Sequence, residues 1–147
     1  MKRGVLEGRV GPQVRLVRNQ LAARVLAAFA PFDLPSGAFS ILALISANPG
    51  CSQSDIAREA RLDKSVVVAL LDELEAKGIL SRVRSAEDRR RNTLMLTASG
   101  AAMLRRMNAV AASIERPIEE ALSPDEIEQL CALLARVHSA LTEAGTA

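Results

Sequence analysis

The fold is decided by two adjoining stretches, SQSDIAREARLDKSVVVALLDELEAKG at residues 52–78 and ILSRVRSAEDRRRNTLMLT at residues 79–97. The first stretch begins with a signal for a helix N-terminus. Ser52 can accept a hydrogen bond from a free amide of the first turn, and Asp55, three residues later, can complete a capping box. Cys51 and Ile56 are spaced to form a hydrophobic staple across the same turn. We therefore expect a short helix that begins after Ser52 and ends near Arg61.

A second helix follows after a very short turn. Asp63 is placed to cap its N-terminus, and Gly78 stands where a left-handed residue ends a helix. Between them, four apolar residues at helical spacing define one buried stripe: Val67, Leu70, Leu71 and Leu74. Two helices joined in this way form a helix-turn-helix. In that motif the second helix lies in the major groove of DNA, and its N-terminal residues face the base edges.

The rest of this region predicts a β-hairpin. Residues 79–84 and 92–97 carry β-branched and large apolar side chains, and a polar tip at 85–91 separates them. The charged residues of the tip are Glu87, Asp88, Arg89, Arg90 and Arg91. A hairpin directly after a helix-turn-helix makes a winged helix. An arginine at its tip can enter a narrow minor groove, where the negative potential is deepest.

Four pieces of this region stand in a fixed order: SQSDIA (52–57), LDKSVV (62–67) with LEAKGIL (74–80) and Arg82, DRR (88–90), and LTASG (96–100). With these pieces the chain resembles the MarR family of bacterial transcriptional regulators. The resemblance implies a homodimer in which the N-terminal and C-terminal helices of two chains interlock. It also implies repression of nearby genes, and release of DNA when a small, often aromatic, molecule binds between the dimerisation and DNA-binding parts.

The flanking segments predict further helices. One helix starts near Gly11 and Pro12 and is stopped by Pro31, and a shorter one ends at the breaker 48–50. A long helix follows a cap at Thr97 until Pro117 ends or kinks it. The last helix has a clean start at 123–126, where a serine cap is followed by proline and two acidic residues.

We therefore predict a mainly α fold with a small β-hairpin wing, in which a winged helix-turn-helix is flanked by N- and C-terminal dimerisation helices. Residues 1–147 are interpreted as one domain, with the DNA-binding part at 35–97 and the dimerisation helices mainly at 10–31 and 98–143. Seven apolar residues are assigned to the dimer interface: Val14, Val17, Leu21, Leu130, Leu134, Val137 and Leu141. Two-fold symmetry then predicts a pseudo-palindromic site in double-stranded DNA.

Nine residues are candidate DNA contacts: Ser52, Gln53, Lys64, Ser65, Val68, Arg84, Asp88, Arg89 and Arg90. Arg90 is assigned to the minor groove, with Asp88 holding the wing by a charge-assisted bond. The alternative for both is a solvated charge cluster. Lys64 is a flexible point charge, which favours a phosphate contact over base reading, and helix amides beside Gln53 attract phosphate. Arg82 and the other wing arginines are expected to contact phosphate or to be solvated.

The second helix departs from the family on its exposed face. Val66, Val68 and Ala69 occupy positions where polar or basic residues are common, and Asp72 and Glu73 add negative charge. Such a face offers methyl contacts that suit the C5-methyl group of thymine, or it leaves specificity to DNA shape. A rival interpretation is a protein-interaction winged helix with weak or lost DNA binding. A third is an architectural DNA binder that responds to no metabolite.

Composition argues against other classes. The net charge of +2 is small, with a basic N-terminal and an acidic C-terminal segment. The chain shows neither a secretory signal nor an apolar run of membrane length, so we expect a cytoplasmic protein. His138 is the single histidine. We therefore expect no metal site, and the lack of a phosphate loop or nucleophile elbow argues against a cofactor or an enzyme.

The two cysteines are expected to be reduced and packed. Cys51 suits a hydrophobic staple better than a redox sensor, and Cys131 lies in an apolar stripe that predicts a core or dimer-interface position. The peroxide-sensing branch of the family uses a first-helix cysteine with tyrosine partners. That mechanism does not transfer, because this chain has no tyrosine and no cysteine in its first helix.

Overall fold

The protein is described by a computed structural model that covers residues 4–84 and 92–144, with the backbone alone for Arg84 and Asn92. Within these residues the helices are α1 (Val10–Phe29), α2 (Ala38–Ala47), α3 (Gln53–Ala60), α4 (Lys64–Ala76), α5 (Ala98–Ala121) and α6 (Pro124–Ala144). Short 3-10 helices occur at Gly4–Leu6 and Ala30–Phe32, and the strands are β1 (Leu80–Arg84) and β2 (Asn92–Leu96). The predicted mainly α fold with a small hairpin is confirmed.

The chain divides into two compact units, Met1–Ala111 and Ala112–Ala147. The first unit holds α1 to α4, the hairpin and the N-terminal part of α5, and the second holds the rest of α5 and α6. The α5 helix runs through Pro117 to Ala121, so this proline does not end it. None of the helices in the described part of the chain is long and apolar enough to span a bilayer.

The core of the first unit is built by α2, α3, α4 and the hairpin, with Met107 added from α5. All four residues of the predicted α4 stripe are buried, which confirms the helical period. They belong to a cluster made of Ala38, Ile41, Leu42, Ile45, Ile56, Val67, Leu70, Leu71, Leu74, Ile79, Leu80, Leu94 and Met107. Full burial of a large aliphatic side chain contributes about 1.5–3 kcal/mol. Burial of this cluster therefore provides most of the free energy that holds the helix-turn-helix against the hairpin.

The predicted capping box at the start of α3 is confirmed. The Asp55 amide donates to Ser52 Oγ at 3.2 Å, and the Ser52 amide donates to Asp55 Oδ2 at 3.0 Å. The Ser52 hydroxyl and amide, together with Arg58, lower the pKa of Asp55 from 3.8 to about 2. The carboxylate therefore stays charged, and the box intact, well below neutral pH.

The end of α4 is set by Gly78, which adopts a left-handed conformation at φ 68°. The Gly78 amide donates to the Glu75 carbonyl at 2.8 Å, and the Ile79 amide donates to the Leu74 carbonyl at 3.0 Å. This pair of bonds is a Schellman motif, in which glycine avoids the steric cost of the left-handed turn. At the other end Asp63 occupies the predicted N-cap position, but its side chain makes no capping bond.

The hairpin is antiparallel, with Leu80 opposite Leu96 and Arg84 opposite Asn92. It is also joined to the connection between α2 and α3. The Leu94 amide donates to the Cys51 carbonyl at 2.9 Å, and the Leu94 carbonyl accepts from the Gly50 amide at 3.0 Å. The wing is thus fixed at its base by backbone bonds on both sides of β2.

The LTASG segment forms a tight junction between β2 and α5. The Gly100 amide donates to Thr97 Oγ1 at 3.0 Å, so Thr97 caps α5 as predicted. The Thr97 hydroxyl donates in turn to the Gly78 carbonyl at 2.7 Å. A Cβ atom on Gly100 would lie 1.9 Å from the Ile79 carbonyl oxygen, which leaves room for glycine alone.

Replacing this glycine should therefore destabilise the fold. We expect Gly100→Ala to lower the free energy of unfolding by about 1–3 kcal/mol, because the Ile79 backbone has to shift. The matched control is Gly11→Ala in the first turn of α1, where an added Cβ meets nothing within 4 Å. Urea unfolding at one fixed protein concentration measures both. Equal stability of the two variants would contradict the close approach.

Candidate nucleic-acid interface

The helix-turn-helix is formed by α3 and α4. Arg61 ends α3 in a left-handed conformation at φ 52°, and the Leu62 amide reaches back to the Ala57 carbonyl at 3.1 Å. Three residues, 61–63, therefore redirect the chain into α4. The N-terminal turns of α4 expose Lys64, Ser65, Val66 and Ala69, whereas Val68 is half-buried. The contacts of Lys64, Ser65 and Val68 with a DNA major groove remain predictions.

The start of α3 places Ser52 and Gln53 side by side, both half-buried. The Ser52 hydroxyl donates to Asp55 Oδ2 at 2.7 Å. The hydroxyl proton that was predicted to bind a DNA phosphate is therefore already used in the capping box. A phosphate contact from Ser52 remains a prediction, and it requires this bond to open. Gln53 is the first residue of α3, where helix amides and the helix dipole favour an anion.

Arg82 is the most constrained charged residue of this region, and the sequence did not predict its role. Its guanidinium pairs with Glu75 and with Asp72, and its backbone amide donates to Glu75 Oε1 at 3.2 Å. The side chain is only 17% exposed. Burial acts to lower the pKa of Arg82, but the bonds to Asp72 and Glu75 outweigh it and raise the pKa above its ordinary value. Arg82 therefore clamps β1 of the wing to α4. The sequence had predicted a phosphate contact or a solvated side chain for Arg82, and its guanidinium is instead paired within the protein.

Lys77 forms a second brace at the end of α4. Its Nζ donates to the carbonyl and to Oδ2 of Asp33, at 2.7 and 2.9 Å, and lies 3.9 Å from Glu73 Oε1. Asp33 lies between α1 and α2, so this contact ties α4 to the connection between those two helices. The two braces also compensate the acids of α4. The negative charge that Asp72 and Glu73 were expected to present to DNA is paired with Arg82 and Lys77.

Loss of the Arg82 clamp should weaken the fold. We expect Arg82→Ala to lower the free energy of unfolding by about 1–3 kcal/mol, because the half-buried Glu75 carboxylate and the exposed Asp72 carboxylate lose their shared partner. Arg58→Ala is the control. Arg58 pairs with Asp55 inside α3, and its side chain is 76% exposed, so its loss should cost at most about 1 kcal/mol. Thermal or urea unfolding of the two variants tests this, and an Arg82 effect no larger than the Arg58 effect would exclude a clamp.

The tip of the wing lies outside the described residues. The predicted contacts Asp88, Arg89 and Arg90 belong to that segment, and only the backbone of Arg84 is described, at the end of β1. Their roles at the DNA remain predictions from the sequence. The base of the wing is firmly placed by the bonds of Leu94 and the Arg82 clamp.

The residues predicted for dimerisation are largely exposed within one chain. On α1, Val14 and Val17 are exposed and Leu21 is half-buried. All four predicted α6 residues are exposed, at 41% for Leu130, 46% for Leu134, 39% for Val137 and 70% for Leu141. Neither α1 nor α6 has a buried residue. Both helices thus present apolar stripes that this chain leaves open to solvent.

The cysteines differ in their surroundings. Cys51 is half-buried and packs against the core, as the staple predicted. Burial, followed by the Asp55 charge, raises the pKa of the Cys51 thiol, which disfavours the reactive thiolate. Cys131 is exposed, so within one chain it is not a core residue, and of the two predicted positions the dimer interface stays a prediction. Within the described residues, no three His, Cys, Asp or Glu side chains are grouped to hold a metal ion.

A short helix pair, a braced second helix and a two-stranded hairpin define the winged-helix class. The chain belongs to the MarR family. The MarR family model matches residues 32–91. A putative transcriptional regulatory protein for the hcr operon of Thauera aromatica is 34% identical over 102 residues, which are 69% of this chain and 61% of that protein. The aligned region therefore spans less than two thirds of that relative.

Solved structures agree over nearly the whole chain. The transcriptional repressor CouR bound to a 23-mer DNA duplex is 34% identical, with a TM-score of 0.84 over 94% of this chain and 98% of that one. CouR bound to p-coumaroyl-CoA is 32% identical, with a TM-score of 0.79 over 94% and 97%. The Staphylococcus aureus MepR–DNA complex is 26% identical, with a TM-score of 0.80 over 91% and 99%.

Proposed function

We propose that this protein is a dimeric, sequence-specific DNA-binding transcriptional regulator, and that it represses until a small-molecule effector releases it. The observation that supports this most is the likeness to CouR in its DNA-bound form, at 34% identity across 94% of the chain. The described base of the wing and the exposed N-terminus of α4 agree with such a role. A regulator of this kind acts in the cytoplasm, where bacterial DNA lies.

In this proposal, different segments of the chain bind DNA and form the dimer. Residues 35–97 bind DNA, and the helices at 10–31 and 98–143 hold two copies together. Each copy lays α4 in a major groove and its wing in the flanking minor groove. With two-fold symmetry, the half-sites of the operator lie about 10 base pairs apart, which is one helical turn. Lys64 at the start of α4 contacts phosphate, and Arg90 on the wing enters the minor groove.

The effector is proposed from the relatives. CouR, at 32% identity, has been captured with p-coumaroyl-CoA. We propose an aromatic acyl-CoA thioester, or the corresponding free acid, as the effector class of this chain. Such a ligand must bind the DNA-free dimer more tightly than the DNA-bound one, because a ligand shifts an equilibrium only by its difference in affinity for the two states.

Specific DNA binding is the first test. Fluorescence anisotropy at two salt concentrations compares DNA that flanks the protein's own gene with scrambled DNA. We expect at least about a thousandfold preference for the flanking DNA. Arg90→Ala should weaken binding to both the flanking and the scrambled DNA. It should also reduce the slope of log affinity against log salt by about one, because one positive charge near the phosphates is lost. An unchanged slope would remove Arg90 from the interface.

The same assay separates the alternatives. Addition of p-coumaroyl-CoA to the complex should lower the anisotropy, while coenzyme A alone is the control. Equal, strongly salt-dependent binding to both DNAs, unaffected by either compound, would favour the architectural interpretation. Absence of binding from a folded dimer would favour the protein-interaction module. The specific observation behind that alternative is Val66, which is 46% exposed on α4.

Dimerisation through α6 is tested separately. Leu134→Asp should shift the protein from dimer to monomer in analytical ultracentrifugation, because an unpaired charge in an apolar interface is costly. The control is Ala132→Asp, which introduces the same side chain on the opposite face of α6. If Leu134→Asp stays dimeric, or if both variants dissociate equally, the interface does not follow this stripe.

A further inference from the structure

We propose that α4 reads its operator through thymine methyl groups, with Val66 and Ala69 as the specificity-determining residues. The inference rests on the proposed DNA-binding function and adds the chemical feature of DNA that is recognised. In this mechanism each half-site places one or more thymines opposite the N-terminal turns of α4. Their C5-methyl groups fill the space that long polar side chains would otherwise occupy.

The buried stripe of α4 determines the direction of its other side chains. Val67, Leu70, Leu71 and Leu74 are buried, and this fixes the orientation of α4 about its axis. At 3.6 residues per turn, the face opposite that stripe carries Ser65, Ala69, Asp72 and Ala76, and Val66 lies on its flank. In a helix-turn-helix the N-terminal residues of the second helix approach the bases. The apolar residues among them are Val66 and Ala69.

The carboxylate side chains in the C-terminal half of α4 already have partners within the protein. Asp72 and Glu75 are paired with Arg82, and Glu73 lies within ion-pair distance of Lys77. A base contact by any of these carboxylates would break a contact within the protein. Within α4, only Lys64 and Ser65 are therefore left to read bases by hydrogen bonds. Val66 and Ala69 beside them form an apolar surface that is exposed in the free protein.

The chemistry of the major groove favours thymine opposite these apolar side chains. Thymine presents a methyl group there, whereas the other groups along the base edges are mainly hydrogen-bond donors and acceptors. Val66 against a cytosine amino group or a guanine oxygen would desolvate that polar group without replacing its hydrogen bond, which costs free energy. Val66 against a thymine methyl group buries apolar surface on both sides. The same contact thus favours thymine and disfavours other bases.

The test removes only the methyl group. Sites are first selected from random duplexes with the full-length wild-type protein. In the selected site, each thymine is then replaced in turn by uracil, which retains the pairing and lacks the C5-methyl group. We expect uracil to raise Kd roughly fourfold at one or two thymines in each half-site, the effect of burying about one methyl group. Uracil placed outside the selected site is the control.

Protein variants assign the methyl effect to residues. Val66→Thr keeps the shape of the side chain and replaces one methyl group by a hydroxyl, at a position where the residue is 46% exposed. The ratio of uracil to thymine Kd should fall to near one at a single thymine for this variant. Ala76→Ser, two turns beyond Ala69 on the same face of α4, should leave the ratio unchanged at every position.

The outcomes are distinct. A specific site in which no thymine-to-uracil change alters Kd overturns the methyl readout and leaves the DNA-binding function standing. The same holds if the uracil effect persists undiminished in Val66→Thr and in Ala69→Gly. Failure to enrich any sequence overturns both the inference and the proposed function. A uracil effect that Val66→Thr or Ala69→Gly removes supports the assignment.

Discussion

The Ile79 carbonyl is the point at which α4, the wing and α5 meet. It accepts the Thr97 amide at 3.1 Å, and it lies so close to Gly100 that no side chain fits there. One residue earlier, Gly78 ends α4 in a left-handed turn, and its carbonyl accepts the Thr97 hydroxyl. The end of one element therefore fixes the starts of two others. The wing cannot shift along its strand direction without breaking the cap of α5.

This junction explains the spacing of the motif pieces. Gly78 of LEAKGIL lies 19 residues before Thr97 and 22 residues before Gly100, both of LTASG. All three nevertheless form one contact region. Each residue type has a physical reason: a positive φ at Gly78, a hydroxyl that both donates and accepts at Thr97, and a missing Cβ at Gly100.

The sequence predicted the features that depend on neighbours in the chain. The Ser52–Asp55 box and the α4 stripe follow from residues three or four positions apart, and both were confirmed. It did not predict contacts that depend on tertiary placement. Lys77 and Asp33 are 44 residues apart, and Arg82 meets Asp72 and Glu75 because the wing folds back along α4. Acids three residues apart on a helix, followed by an arginine in the next strand, are the signal that could have indicated the clamp.

The same logic applies to the flanking helices. Periodicity identified the apolar stripes of α1 and α6, but a single chain does not bury them, so the prediction of their partner comes from the resemblance and not from spacing. Cys131 illustrates the limit. Its place in a stripe of leucines predicted burial, whereas a stripe shows only which residues share a face and not what covers that face.

The Arg82 and Lys77 contacts hold α4 in place, and this matters because the proposed reading residues, Val66 and Ala69, are short. A long arginine or glutamine can adjust its rotamers to reach a base edge, whereas a valine or an alanine has no reach and depends on where the backbone stands. Arg82 fixes α4 against the wing, and Lys77 fixes it against the connection between α1 and α2. A helix that reads DNA by close apolar contact loses affinity after small displacements, because dispersion contacts weaken within a fraction of an ångström. For such a helix, rigid attachment to neighbouring elements is a condition of specificity.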